Sequence, residues 1–231
     1  SSGNVTNPSD QNAVVGKTVT LSASFMQSVF LSDPFGISGT WYVNIGGTWM
    51  TASDAASKNL ITNLSTTSDK WIGNYGTKTT ITFTSNTAQS VTVQALYSGT
   101  LTPWLTAGAS KVAEVNFYAN DIKATNVAIA GNDYAYTGNT YQFADTTNPS
   151  NATGTITWAS SNPDVGTIDN NGAFNAVKAG TTLLTVTLTN GDGTKVSASK
   201  IVTVGNGLTD QTASVGDHVT FTPENLADLT N

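Results

Sequence analysis

Apolar residues along this chain recur with a period of two, in short runs, and that periodicity constrains the fold more than any other feature. Val19, Leu21, Ala23 and Phe25 alternate with Thr18, Thr20, Ser22 and Ser24. In an extended chain such neighbours point to opposite faces, one apolar and one hydroxylated. The pattern returns at Ile81 and Phe83 within Thr79 to Thr84, at Val91, Val93 and Ala95, and from Val112 to Tyr118. Trp41-Tyr42-Val43-Asn44-Ile45, then Gly46-Gly47, then Thr48-Trp49-Met50 reads as a hairpin, because paired glycines supply the positive φ of a two-residue turn. Further on, strands are predicted at Ile122–Ile129, Thr140–Ala144, Thr155–Ala159, Thr182–Leu188 and Lys195–Val204, with Asn190-Gly191-Asp192-Gly193 turning between the last two. Helical periodicity is nearly absent. Short strands bounded by turn residues predict an all-β sandwich or barrel.

The second constraint is an internal repeat. The stretch from Asp210 to Phe221 parallels Asp10 to Leu21 at a constant offset of 200, and seven of the twelve positions are identical. A repeat at that spacing implies a two-module unit that recurs in the parent protein. It divides the chain into residues 1–119, residues 120–204 and the start of a further copy, 205–231. On that division Asn231 is not expected to be a natural end, and a chain opening at Ser1 without Met is expected to be a processed product or a fragment.

Composition narrows the function classes. Only 10% of residues are charged, the formal net charge is −6, and all nine basic residues are Lys. Nucleic-acid binding needs clustered cations against phosphate, which this chain lacks. An anionic membrane surface would repel it, and no apolar run of 18 residues is present to span a bilayer. The chain has no Cys, which removes disulfides, thiolate metal sites and cysteine nucleophiles. Richness in Thr, Ser and Asn without cysteine points to a bacterial extracellular product.

Residues about 120–204 carry a specific motif set. It runs through Asn148-Pro149-Ser150-Asn151-Ala152, Ile156-Thr157-Trp158-Ala159-Ser160-Ser161-Asn162-Pro163-Asp164-Val165, Thr167-Ile168-Asp169-Asn170-Asn171-Gly172 and Ala176-Val177-Lys178-Ala179-Gly180-Thr181. This segment resembles the bacterial Ig-like domain family, group 2. Residues about 5–119 resemble a more distant Ig-like sandwich, with Trp41 following the strand Val19–Phe25 at about the spacing of the core tryptophan. The resemblance implies tandem immunoglobulin-like β-sandwiches with Greek-key connections. Trp158 and Trp41 are then expected as the two core anchors, with Trp49 mostly in the core as well. It also implies a cell-surface, cell-wall or adhesin-type protein: a repeat spacer or stalk, or alternatively a glycan- or host-binding adhesin module, or a phage tail decoration.

Catalysis is not expected. His218 is the only histidine and its counterpart in the repeat is Thr18; Glu occurs only at Glu114 and Glu224. The aspartates lie mainly in turns, where turn chemistry explains them. Calcium is the best metal candidate, through hard oxygen ligands at junctions: Asp121 and Asp164 near Asn120, and Asp192 near Asn190. Solvated turns are the default reading of the same residues. Some Gram-positive Ig-like modules carry a Lys–Asn isopeptide crosslink beside a buried acid, and Lys17 with Asn116 is the pairing to test here. Exposed aromatics can stack on sugars, and Trp71, Tyr75 and Trp104 in predicted loops are the candidate ligand-binding residues. The competing reading is that these rings plug the ends of the sandwich. The strand Val215–Thr222, lacking its own sheet, is expected to add to an exposed sheet edge and promote self-association.

Overall fold

The computed structural model describes residues 6–26, 37–71, 76–99 and 106–207, with the backbone alone at positions 70, 71, 106 and 107. The predicted strand Val215–Thr222, His218 and the rest of the segment beyond 207 lie outside the described residues.

The chain packs around two separate cores. The first is built by β1 (Gln11–Val14), β2 (Thr18–Met26), β3 (Ile37–Ile45), β4 (Thr48–Thr51), β5 (Thr62–Trp71), β6 (Gly76–Thr84), β7 (Gln89–Gly99), β8 (Thr106–Ala109) and β9 (Ala113–Tyr118), with one short helix, α1 (Ala52–Ser57), between β4 and β5. One layer has the order β2-β6-β5. The other runs β1-β9-β7-β3-β4, with β8 also on β7. Because β2 pairs with β6, and β3 with β7, the chain crosses between layers after β2, β4 and β6, which is the Greek-key arrangement of an Ig-like sandwich. All of these pairings are antiparallel except β1 on β9.

The alternation in sequence explains the layers. Val19, Leu21 and Ala23 on β2 are buried against Ile81 and Phe83 on β6, and Val91, Val93 and Ala95 on β7 close the other side. Trp41, 2% exposed, lies among them. On the opposite face of β2 the hydroxyls form a ladder with β6: Thr18 with Thr84, Thr20 with Thr82 and Ser22 with Thr80, at 3.0–3.1 Å. Gly46 and Gly47, at φ of +62° and +87°, make the β3–β4 turn.

The second core is built by β10 (Asn126–Ala130), β11 (Tyr134–Tyr136), β12 (Thr140–Gln142), β13 (Ala144–Asn148), β14 (Thr155–Ser160), β15 (Gly166–Ile168), β16 (Ala173–Ala176), β17 (Gly180–Thr189) and β18 (Lys195–Gly205). The sheets run β11-β18-β17-β14, β12-β16-β15 and β10-β13. Trp158, 8% exposed, packs here with Phe143, Val186 and Val202. Phe143 sits between two rings, 6.5 Å from Trp158 and 5.9 Å from Phe174. Gly172, at φ +78°, turns tightly against the chain. A side chain there would lie 2.3 Å from the Phe143 carbonyl oxygen, so no other residue fits.

Three expectations are corrected. Trp49 is 45% exposed and is not a core residue. Its strand lies at the sheet edge, and the next residue, Met50, is the one that packs on the core, so the period of two turns Trp49 outward. The strand predicted over Ile122–Ile129 starts only at Asn126. Upstream backbone groups are committed elsewhere: the Thr153 amide donates to the Ile122 carbonyl, and the Ala124 amide to Asn190 Oδ1. The strand predicted over Thr140–Ala144 is two strands, because the chain changes sheets at Phe143, whose amide donates to the Gly172 carbonyl.

Candidate functional site

Two features of the fold present chemistry to the outside: the far end of the first sandwich, and the seam between the two cores.

The far end is defined by strand register. Met26 pairs with Gly76, Trp71 with Gly76, Ile37 with Gly99, and Ser98 with Thr106. These strand ends are joined by the segments 27–36, 72–75 and 100–105, so all three connections leave from one end of the sandwich. The opposite end carries the turn at Gly16, whose amide donates to the Ser85 carbonyl, and Val15, whose amide donates to the Tyr118 carbonyl. Clustered connections on a rigid sandwich are the usual site of binding function. Trp71 is the last residue of β5, while Tyr75 and Trp104 belong to two of the connections; Tyr75, Trp104 and the Trp71 side chain lie outside the described residues.

Beneath this end the described residues form an apolar floor. Phe25 stacks on Tyr97 with centroids 4.9 Å apart and planes 14° from parallel. Tyr97 is buried, and burial raises its hydroxyl above the ordinary phenol range. Neither the Tyr97 hydroxyl nor Trp41 Nε1 has a hydrogen-bond partner among the described residues.

The seam runs along β1 and β2. Ser9 Oγ donates to the Asn171 carbonyl at 2.9 Å, Asn12 Nδ2 to the Ser150 carbonyl at 3.3 Å, and Asn171 Nδ2 to the Ser22 carbonyl at 3.3 Å. Lys17 Nζ donates to Thr155 Oγ1 at 2.5 Å and to the Thr153 carbonyl at 3.4 Å. Burial lowers the pKa of Lys17 from its ordinary value, and the Asp121 carboxylate opposes that shift. Asp121 is itself held by the Thr153 hydroxyl, which also accepts from the Ile122 amide at 2.8 Å. Past Ser22 the seam opens into a cleft of about 420 Å³ lined by Ser24 and Lys78 on one side and Ile168, Asp169 and Asn175 on the other. Ser22 on β2 lies five steps along the chain from Lys17, so this part of the seam is roughly 17 Å long at the rise of a strand. The second core therefore lies alongside the first, and not beyond its end.

The calcium candidates do not converge as one set, although the Asp121 carboxylate lies against Gly191, next to Asp192. Asp121 lies beside the start of β14 and Asp164 four residues past its far end. Asp192 pairs with Lys123 at 2.8 Å and accepts from the Thr194 amide and hydroxyl, and the Lys123 bond first, then those to Thr194, hold its carboxyl below the usual carboxylate range. Among the described residues no three His, Cys, Asp or Glu gather where they would hold a metal ion. The Lys17–Asn116 pairing is not formed: Lys17 reaches Thr155, Asn116 bonds Asn12 at 3.5 Å, and Glu114 is exposed.

No curated protein matches the chain. Among solved structures it is similar to one described as tandem Ig repeats of Dlar, at 12% identity over 88% of this chain and 97% of that chain, with a TM-score of 0.29. Residues 121–204 match the family model of the bacterial Ig-like domain (group 2). With the sheet order and the Trp158 core already described, residues 121–204 are a bacterial Ig-like domain of group 2.

Proposed function

We propose that this chain is a non-catalytic spacer of a bacterial extracellular surface protein, in which paired Ig-like modules hold a distal end away from the cell. On this reading the modules are residues 1–119 and 120–204, with a further copy beginning at 205. The observation that supports it is the seam. Its bonds involve Ser9, Asn12, Lys17 and Ser22 on one side and Ser150, Thr153, Thr155 and Asn171 on the other. A net hydrogen bond contributes about 0.5–1.5 kcal/mol. Tethering by a short linker also makes docking intramolecular, at an effective concentration of order millimolar. Together these favour a closed joint, although a polar interface this small is the kind that opens readily in untethered domains. The family and fold are of a structural kind, and among the described residues no helix is long and apolar enough to cross a membrane.

Surface display tests the spacer. An N-terminal epitope should lose antibody access when residues 121–204 are deleted and regain it when an unrelated folded module of equal size replaces them. Failure of the replacement to restore access would contradict the reading.

One observation favours a second reading, an adhesin tip. The strands flanking segments 27–36, 72–75 and 100–105 end together at one end of the first sandwich, and the sequence at the end of β5 and in those segments includes Trp71, Tyr75 and Trp104. Aromatic rings suit the apolar faces of sugars. A glycan array with the full chain, and with Trp104→Ala as control, separates the readings. Binding lost in the variant supports the tip; no binding above background leaves the spacer alone.

A further inference from the structure

The repeat can be read against the seam, position by position. Among the identities between residues 10–21 and 210–221, each position carries the fold of the first sandwich. Asp10 accepts from the Glu114 amide at 2.8 Å, and Gln11 Nε2 donates to the Thr20 carbonyl at 2.8 Å. Ala13 and Val19 are buried, Val15 packs on the core, and Gly16 has a φ of +83°. Thr20 belongs to the hydroxyl ladder. The copy keeps all seven, as Asp210, Gln211, Ala213, Val215, Gly216, Val219 and Thr220.

The positions that differ include both side chains through which this stretch touches the second module. Asn12, which donates to Ser150, is replaced by Thr212; Lys17, which donates to Thr153 and Thr155 beside Asp121, is replaced by Asp217. The second change reverses the charge. An acid in the Lys17 place would face the Asp121 carboxylate and the Thr153 carbonyl, which repel it, with the Thr155 hydroxyl as the one group of the three able to donate.

We infer that positions 12 and 17 of this fold select the neighbour seated along the β1–β2 edge: Asn12 and Lys17 take a module presenting oxygens, as residues 121–155 do, and an acid at position 17 excludes it. This deepens the spacer reading and rests on it, because it explains how a string of like modules keeps each junction distinct.

The chain has no Cys, so paired cysteines replacing Lys78 and Thr167, which line opposite walls of the cleft and make none of the seam bonds, report the seam through a short bismaleimide crosslinker. The parent with this pair should crosslink nearly completely. Importing the copy's residues, Asn12→Thr with Lys17→Asp, should slow crosslinking at least tenfold while the thermal midpoint stays unchanged. Adding Thr155→Lys, which places a cation opposite the new acid, should recover most of the rate. Thr18→His, another difference between the copies but one facing Thr84 in the ladder, should leave crosslinking at the parent rate. Crosslinking of the double variant at the parent rate, or no recovery with Thr155→Lys, overturns the inference and leaves the spacer standing. No crosslinking in the parent overturns both.

Discussion

The two sandwiches bury the same residue, a tryptophan, in different company. Trp41 shares its core with Leu21, Ile81 and Val93 between a three-stranded and a six-stranded sheet, and the ring pairs of that core, Phe25 with Tyr97 and Phe83 with Phe117, do not include it. Trp158 sits in a ring cluster with Phe143 and Phe174, closed by sheets of two, three and four strands. The first module spends its outer face on a hydroxyl ladder and a seam. The second leaves Leu183, 40% exposed, paired across strands with Ile201, 64% exposed, on its outer face. In the first module the anchor ring stands apart from the paired rings, whereas in the second it is one of them, with a buried polar tie at Asn190 joining the entry to the last turn. The comparison separates what makes a sandwich stable from what makes it a joint.

The largest effects should come from breaking each core alone. Trp41→Ala and Trp158→Ala should each cost about 3–5 kcal/mol. Each should lower the melting transition of its own module in calorimetry and leave the other near its parent value, because the two cores share no buried residue. A single merged transition that moves in both variants would break the comparison.

The next effect is specific to the second module. Asn190 is buried; its Oδ1 accepts from the Ala124 amide and its Nδ2 donates to the Ala124 carbonyl, tying the entry of the module to its last turn. Asn190→Ala leaves both backbone groups unpaired and should cost about 1–3 kcal/mol, read as a lower denaturant midpoint for that module only.

Smaller, and pH-dependent, is the effect of Asp145. Burial raises its carboxyl above the ordinary value of 3.8, with a bond from its own backbone opposing the shift. A folded value above the unfolded one means that the stabilising contribution is complete below the unfolded value. That contribution is lost as pH rises through the folded value. Asp145→Asn should therefore gain melting temperature relative to the parent between about pH 3.5 and pH 7, and the gain should be absent at the acid end. The smallest effect belongs to the ladder: Thr82→Ala removes one exposed hydroxyl pair with Thr20 and should cost about 0.2–1 kcal/mol in the first module.

Much of the fold was legible because one face of most strands is buried. The alternation on β2, β6, β7 and β9 marks them directly, and Gly46-Gly47 marks the hairpin. The strand β5 was not legible. Its residues Thr62 to Trp71 are mostly polar and exposed, since it is an edge strand with little to bury. Helix α1 was missed as well: six residues carry no period, and its start rests on the Thr51 hydroxyl accepting from the Asp54 amide. The candidate end of the first module was partly legible. Aromatic rings in turn-rich stretches name Trp71, Tyr75 and Trp104, but that the strands flanking those stretches end together follows only from long-range strand pairing. The seam was hidden for the same reason. Lys17, Ser150 and Asn171 are ordinary turn and loop residues until the second module lies beside β2.

The central claim is that the modules lie side by side, held by the edge of β1 and β2. Spin labels on cysteines replacing Lys58 and Lys195, both exposed, would measure the distance between modules in the full chain. The account predicts one narrow distance distribution, broadened by Lys17→Asp. A broad distribution in the parent, or one centred at the longer separation of an end-to-end pair, would contradict it.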